Sequence, residues 1–303
     1  MISVCIPIYN FDVRPLVADL VKQMDKLAAG CEIICIDDAS DDDFKNINGN
    51  FCDKHGKYIQ LYENVGRAQI RNLFGPYAKN DYLLFLDCDS LVDRPDFIET
   101  YLKCLKDEPL VVCGGRTYPR EKPESHFMLR WKYGWKREIK SVKYRRKKPH
   151  ISFQTNNFLI HKQLILKVPF DGSITHYGHE DTLFGFMLKN YGVPIVHIDN
   201  PVLNGEIETN SEFLSKSEEA VGNLAYMNAL LNQNKDFIQE VTLLRWYYRL
   251  RRLRALFLVR MLRFCCKKCI RKRLLSGRSS MRGFNFYKLM LLDEKLKKSK
   301  LTR

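Results

Sequence analysis

The sequence predicts an α/β fold: a nucleotide-binding type of sheet flanked by helices, followed by a basic helical C-terminal extension. Three observations predict it. Apolar strand-like runs alternate with helix-length amphipathic stretches through the first 115 residues, the spacing of βαβ units and a mainly parallel sheet. Several of those runs end in aspartate, asparagine or glycine, at the edge where open α/β sheets bind ligands. The charge is uneven: of 50 Lys+Arg and 35 Asp+Glu in 303 residues, 20 and two fall after residue 244, so 30 and 33 remain before it. The net charge of +15 therefore belongs to the C-terminal region, and the body is close to neutral.

Taken in order, Val4 to Ile8 reads as a strand, Pro15 to Ala28 as an amphipathic helix and Glu32 to Ile36 as a second strand. A polar turn and a short helical stretch near Phe44 lead to a strand from Tyr58 to Leu61. A helix follows from Ala68 to Ala78, then a bulky uncharged strand, Tyr82 to Leu86, of the kind buried on both faces. Pro95 opens a helix that runs to Lys106, since proline suits a first helical turn. The strand Leu110 to Cys113 ends in Gly114-Gly115. From Arg116 to His150 the regularity is lost, and Arg145-Arg146-Lys147-Lys148-Pro149 is expected to be solvated on a mobile segment beside a ligand site. Order resumes with an Asn-rich strand (Thr155 to Ile160), a helix from Asp181 to Tyr191, a strand from Pro194 to Ile198 and an amphipathic helix from Ser211 to Asn234.

Hydrophobic residues at 45% and charged residues at 28% are the values of a globular chain rather than a disordered one. No apolar stretch approaches the roughly 18–20 residues that span a bilayer. Ile2-Ser3-Val4-Cys5-Ile6-Pro7 has no basic n-region and no cleavage site, so no signal peptide is expected and the ten cysteines are expected to be reduced. Cys265-Cys266-x-x-Cys269 offers three thiols for zinc, but no second ligand pair follows it.

The residues that carry chemistry sit at strand ends and helix starts. Phe85-Leu86-Asp87-Cys88-Asp89 closes the fourth strand with two carboxylates, and strand alternation would place Asp87 and Asp89 on one side with Cys88 turned away. Two carboxylates there suit a hard divalent cation, which can in turn hold a diphosphate. Ile6-Pro7-Ile8-Tyr9-Asn10 is expected to leave the sheet at Pro7 and expose Tyr9. Asp37-Asp38-Ala39-Ser40 ends the second strand; one carboxylate can accept from a pyrimidine N–H, or cap the next segment. Asn64-x-Gly66-x-Ala68-x-x-Arg71-Asn72 opens a helix in which Arg71 can reach phosphate or base. Gly178-His179-Glu180-Asp181 starts another, where acids are favoured by the helix dipole and are also placed to accept a proton from a hydroxyl.

In order and spacing, Val4–Asn10, Asp37–Ser40, Asn64–Asn72, Asp87–Asp89 and Glu180–Asp181 resemble the family 2 glycosyltransferases, which have the GT-A fold. Thr155 to Ile198 looks like the C-terminal part of galactosyltransferases, and the resemblance covers about residues 1–235. It implies a donor-binding half (1–115) and an acceptor-binding half with the catalytic base (116–240), and the charge count sets off the rest as a basic amphipathic tail (241–303). The implied reaction is an inverting single displacement at the anomeric carbon of a nucleoside-diphosphate sugar, with UDP the expected nucleotide and a hexosyl or N-acetylhexosaminyl group moving to a glycan or lipid-linked acceptor. Asp89 would bind a divalent metal, Mn2+ or Mg2+, with Asp87 ligating it or touching ribose. Arg71 would offset charge on the diphosphate. Tyr9 and Asp38, with Pro7, Asp37 and Asn64 beside them, would hold base and ribose. Asp181 is the implied general base and Glu180 its partner. Relatives carry a metal-binding histidine after the strand that follows Glu-Asp; here the choices are His197, which also reads as a core histidine, and the weaker ligand Asn204.

In the tail, Trp246, Tyr247, Leu250, Leu253, Phe257 and Leu274 are set among arginines, a pattern that suits an anionic membrane surface better than nucleic acid or a solvated helical extension. The chain is therefore expected at the cytoplasmic face of a membrane, with no specific nucleic-acid partner, and a chain ending near Gln239 is expected still to fold. Two other classes compete with the transferase. A sugar nucleotidyltransferase would need a Gly-rich phosphate loop, which Ile2 to Asp12 lacks, and a non-catalytic binder would not need Asp87, Asp89 and Asp181.

Overall fold

A computed structural model of the protein describes residues 1–27, 30–278 and 280–301. Its strands are β1 (Ile2–Ile8), β2 (Glu32–Asp37), β3 (Lys57–Gln60), β4 (Tyr82–Leu86), β5 (Ser90–Leu91), β6 (Val111–Cys113), β7 (Arg116–Thr117), β8 (Asn157–His161), β9 (Val196–His197) and β10 (Val202–Asn204). Seven form one sheet in the order β3-β2-β1-β4-β8-β6-β9, and β5-β10-β7 form a small second sheet. β1 to β4 are parallel, joined by helices Arg14–Met24, Asp42–His55 and Gly66–Asn72. β8 runs antiparallel between β4 and β6.

The central strands are apolar because both of their faces are covered. Ile2, Val4, Ile6 and Ile8 pack on one face with Leu16, Val17 and Leu20 of the first helix and with Phe97, Ile98 and Tyr101. On the other, Phe85 stacks on Phe158 at 4.9 Å and meets Phe74 edge-on at 5.4 Å.

Several expectations change. The helix near Phe44 is 14 residues long, and the expected helix from Ala68 to Ala78 breaks into Gly66–Asn72 and Phe74–Tyr77. The first helix ends at Met24; its expected end, Ala28, lies outside the described residues. The sheet is not complete at residue 115, because β8 and β9 come from the second expected segment. Arg145 is not solvated. It lies within a short helix, Val142–Lys147, and donates to the carbonyls of Cys113 (3.0 Å), Gly114 (3.0 Å) and Ile198 (2.8 Å), binding the ends of β6 and β9.

The chain forms two compact units. The first holds residues 1–119, 139–175 and 180–206 and contains both sheets. The second holds residues 120–138, 176–179 and 207–303. Within it the helix Asn210–Leu230 opens with a Thr209–Glu212 capping box. That helix packs against Met281–Leu301, whose Tyr287 hydroxyl donates to Glu218 at 2.6 Å and whose Phe284 ring lies 5.8 Å from that of Phe213. The basic region is thus part of a folded unit and not an appended tail. No helix of the described residues is long and apolar enough to cross a membrane.

Candidate active site

The strand order reverses between β1 and β4, since β2 and β3 lie on one side of β1 and β4 on the other. Ligands of open α/β sheets bind at such a point, outside the strands' carboxyl ends. Pairing of β1 with β4 stops at Cys5–Phe85, while β1 continues against β2 through Pro7 to Ile8. Pro7 therefore stays inside the strand, contrary to expectation, and the chain leaves the sheet two residues later. Tyr9, 54% exposed, is the first residue past the edge. Asn10, at φ 47°, clasps the next loop: its N–H donates to the Ser40 hydroxyl (2.9 Å) and its side-chain oxygen accepts from the Asp41 N–H (2.7 Å).

The two aspartates at the end of β2, Asp37 as its last residue and Asp38 just past it, have separate roles. Asp37 is fully buried and accepts from the Ser40 N–H (2.7 Å) and the Tyr58 hydroxyl (3.0 Å). Both of its oxygens are taken up within the fold and none of it is exposed at the site, so it builds the turn where it was expected beside the nucleotide. Asp38 accepts from the N–H groups of Val65 (2.7 Å) and Gly66 (3.1 Å), capping the Gly66–Asn72 helix, and burial raises its pKa against the pull of those two donors. Asn64 donates to the Asp38 carbonyl at 3.1 Å. Gly66 has φ +82°, a conformation that favours glycine.

That short helix also carries the site's cations. Arg71, expected at the phosphate, is 1% exposed; it donates to Asp87 at 2.7 Å and lies 5.9 Å from the Phe170 ring. Arg67, one turn earlier and 46% exposed, donates to Asp87 at 3.2 Å and to Glu180 at 3.1 Å. Asp87 is thus held between two guanidiniums. Burial would raise its pKa, but Arg67, Arg71 and Arg116 bring it below the usual carboxylate range. Glu180 is the first residue of the Glu180–Asn190 helix and Asp181 the second. Burial and the Glu180 charge push Asp181 up to about 6, although Thr182 donates to it from N–H (2.6 Å) and hydroxyl (3.1 Å). Arg116, on β7, lowers both Asp87 and Asp181.

The structure thus brings together Asp87, Glu180, Asp181 and Arg71, with Asp38 and Asn64 at the other end of the same helix. The sequence reading missed Arg67 and Arg116. Arg67 lies four residues before Arg71 and so on the same helix face, and Arg116 directly follows the glycine pair that ends β6.

Strand pleating does not orient the Asp-x-Asp pair, because β4 ends at Leu86 and the Ser90 N–H closes a turn onto the Asp87 carbonyl (3.0 Å). Cys88 nonetheless packs toward the core, and burial pushes its thiol up to about 12, so it stays protonated. Asp89 is half-buried, with its carbonyl accepting from the Gly205 N–H at 3.3 Å. Asn204 pairs with Ser90 across β10 and β5, which sets it beside the aspartates. His197 is a core residue. It is 1% exposed, with Nδ1 3.1 Å from the Arg145 guanidinium and Nε2 3.0 Å from the Pro149 carbonyl, and burial lowers it to about 4. With both ring nitrogens occupied it has no lone pair for a metal, which corrects its place among the expected ligands. Among the described residues no group of three His, Cys, Asp or Glu side chains is placed to hold a metal ion. Two carboxylates at one sheet edge fit a cation that keeps its other ligands on a diphosphate and water.

The family model of Glycosyl transferase family 2 matches residues 3–168, more than half of the chain. An uncharacterized glycosyltransferase of Haemophilus influenzae is 31% identical over 118 residues, 38% of this chain and 46% of that protein. The aligned segment spans less than half of that relative's length. The mannosyltransferase PcManGT from Pyrobaculum calidifontis, in complex with GDP-Man and Mn2+, superposes with a TM-score of 0.63 at 14% identity, over 99% of this chain and 87% of that one. Glucosyl-3-phosphoglycerate synthase from Mycobacterium tuberculosis, in complex with Mn2+, UDP and glucosyl-3-phosphoglycerate, gives 0.52 at 15% identity over 75% and 79%. At these identities the likeness is one of fold.

Proposed function

Because the chain belongs to glycosyl transferase family 2 and has the GT-A fold, we propose that it moves a sugar from a nucleoside-diphosphate sugar to a hydroxyl of a glycan or lipid-linked acceptor, with inversion. A UDP donor and a hexosyl or N-acetylhexosaminyl group are the proposed substrates. The observation that carries the reading is the pair of adjacent carboxylates, Glu180 tied through Arg67 to Asp87 and Asp181 with its pKa raised to about 6.

In the proposed step the acceptor oxygen attacks the anomeric carbon as the bond from that carbon to the diphosphate oxygen breaks. The acceptor's proton passes to Asp181, a carboxylate at neutral pH whose raised pKa makes it a better base. Glu180, fixed by Arg67, positions the sugar or acceptor. The exposed part of Arg67 is the nearest cation to offer the departing diphosphate, with Arg116 behind it. Arg71 acts indirectly, by fixing Asp87. Tyr9 and Asn64 face the nucleoside, and Asp38 shapes its pocket by capping the helix. Asp89 and Asp87 would hold a divalent metal, with Asn204 in place of His197 as the third protein group; such a cation, when bound, neutralises diphosphate charge. Two fold neighbours bind Mn2+ together with their nucleotides, which supports Mn2+ here. The cationic C-terminal region is proposed to bring the enzyme to the cytoplasmic face of an anionic membrane.

A thermal-shift panel of nucleotide sugars with and without Mn2+ tests the reading, because a ligand that binds only the folded state raises its melting temperature. At least one UDP-sugar should stabilise the protein only with metal. No shift with any nucleotide sugar, in either condition, would remove the donor assignment.

A further inference from the structure

The Leu256–Leu275 helix is apolar on two faces, and one of them, with Leu256, Val259 and Leu274, is buried in its own unit. Beside that buried face its cations reach acids of the same unit: Arg260 pairs with the buried Asp293 at 3.0 Å, Lys267 with Glu294 at 3.0 Å, and Arg271 lies 3.5 Å from Glu218. The second apolar face is turned to solvent. Phe257, Leu258, Met261 and Leu262 recur at three- and four-residue spacing and so form one strip. Phe257 is 62% exposed, and Phe264, at the strip's margin, is 94% exposed. A surface helix of a protein surrounded by water needs only the buried apolar face, and a second, contiguous exposed strip of this kind marks an interaction surface.

What borders the strip identifies the partner. From Val241 to Leu292 the chain has 15 Lys+Arg and no Asp or Glu. Lys268 and Lys272 lie on the same helix face as the strip, one to three turns further on. A cavity of about 780 Å³ in the same unit is lined by Lys235, Arg245, Arg249, Arg251, Arg252 and Tyr248, and the exposed Leu253 follows it directly in the chain. Apolar side chains bordered by cations complement a bilayer surface, with acyl chains below and headgroup phosphates around. A second copy of this chain would instead bring like charges together, which disfavours a dimer.

We propose that this helix lies in the plane of an anionic membrane, with Phe257, Leu258, Met261 and Phe264 among the acyl chains and the neighbouring cations on lipid phosphates. The inference rests on the reading that the C-terminal region meets a membrane. It adds that the attachment has an apolar component belonging to one helix face.

The test uses the full chain and vesicles of phosphatidylcholine with or without phosphatidylglycerol. Wild type should sediment with the anionic vesicles, and part of that binding should survive high salt, which screens charge but not apolar burial. The variant Phe257→Ser/Met261→Ser/Phe264→Ser should bind on the order of 100-fold more weakly and lose the salt-resistant part. Its melting temperature and donor response should match wild type, since all three side chains are exposed. In a separate Phe264→Trp variant, lipids brominated on the acyl chain should quench the new indole. If wild type sediments but the triple variant binds equally and the new indole is not quenched, attachment is purely electrostatic and this inference fails while the membrane reading stands. If wild type ignores all vesicles and the triple substitution turns a dimer into a monomer, the strip is a subunit interface and both fail.

Discussion

Two arginines one helical turn apart carry different consequences. Arg71 is buried against Phe170 and Asp87, so replacing it with methionine leaves the buried Asp87 charge short of a partner. That change is expected to cost about 3–5 kcal/mol of stability, read from chemical denaturation. Arg67 is half in solvent, and Arg67→Met should leave the melting temperature within a few degrees while lowering turnover roughly 10–100-fold, because a preorganised cation is lost where charge develops. Equal kinetic and stability losses in both variants would contradict this division. Asp181 gives a pH signature. A carboxyl with pKa about 6 is protonated below that value and cannot accept a proton, so kcat/KM should fall as pH drops through about 6. In Asp181→Asn that acid limb should disappear, with turnover down by roughly 10²–10⁴ and donor affinity within a few-fold. The places of Asp87, just past a strand end, and of Asp181, at a helix start, were legible in the sequence because these are local signals. Which arginine faces solvent was not, because Phe170, 99 positions beyond Arg71, decides it. The same holds for His197, whose ring is occupied by Arg145 from a segment that reads as solvated.

At the scale of elements, the seven-residue helix Gly66–Asn72 organises the site. Asp38 holds its start, while Arg67 and Arg71 project from it to Asp87 and Glu180. Asp38→Ala removes two hydrogen bonds from the cap and is expected to cost about 1–2 kcal/mol. Because both arginines ride on the helix, donor KM should rise as well, and KM measured well below the melting temperature separates this from global loss. Unchanged KM would mean the helix keeps its register without its cap. The strands β1, β2 and β4 were readable because each is a continuous apolar run buried on both faces. The direction of β8 was not, since an antiparallel neighbour inside a parallel sheet depends on how the chain returns. The sheet of β5, β7 and β10 was missed for a related reason: strands of two or three residues have too few positions for a period to show.

At the scale of the whole molecule, charge and burial tell different stories about the C-terminal region. Counting charge separates it as a basic tail, and a chain ending near Gln239 then looks complete. The apolar positions contradict that picture, because Phe284, Tyr287, Met290 and Leu292 are buried. Ending the chain at Gln239 would uncover Phe213 and the Glu218 carboxylate and remove the Phe284 ring, 5.8 Å from Tyr133. Fully burying one large apolar side chain contributes about 1.5–3 kcal/mol, and several are lost together. The shortened chain should therefore melt well below the full one, bind hydrophobic dyes and be cut by protease within Asn210–Leu230, a helix that should resist cleavage in the full chain. A shortened chain with an unchanged melting temperature and an uncut helix would restore the tail as an appendage. The same comparison bears on membrane attachment, because loss of vesicle binding on truncation carries no information once the unit itself unfolds. Substitutions on the exposed face of the Leu256–Leu275 helix leave that packing intact, and for this reason they, rather than a deletion, isolate the contribution of the apolar strip.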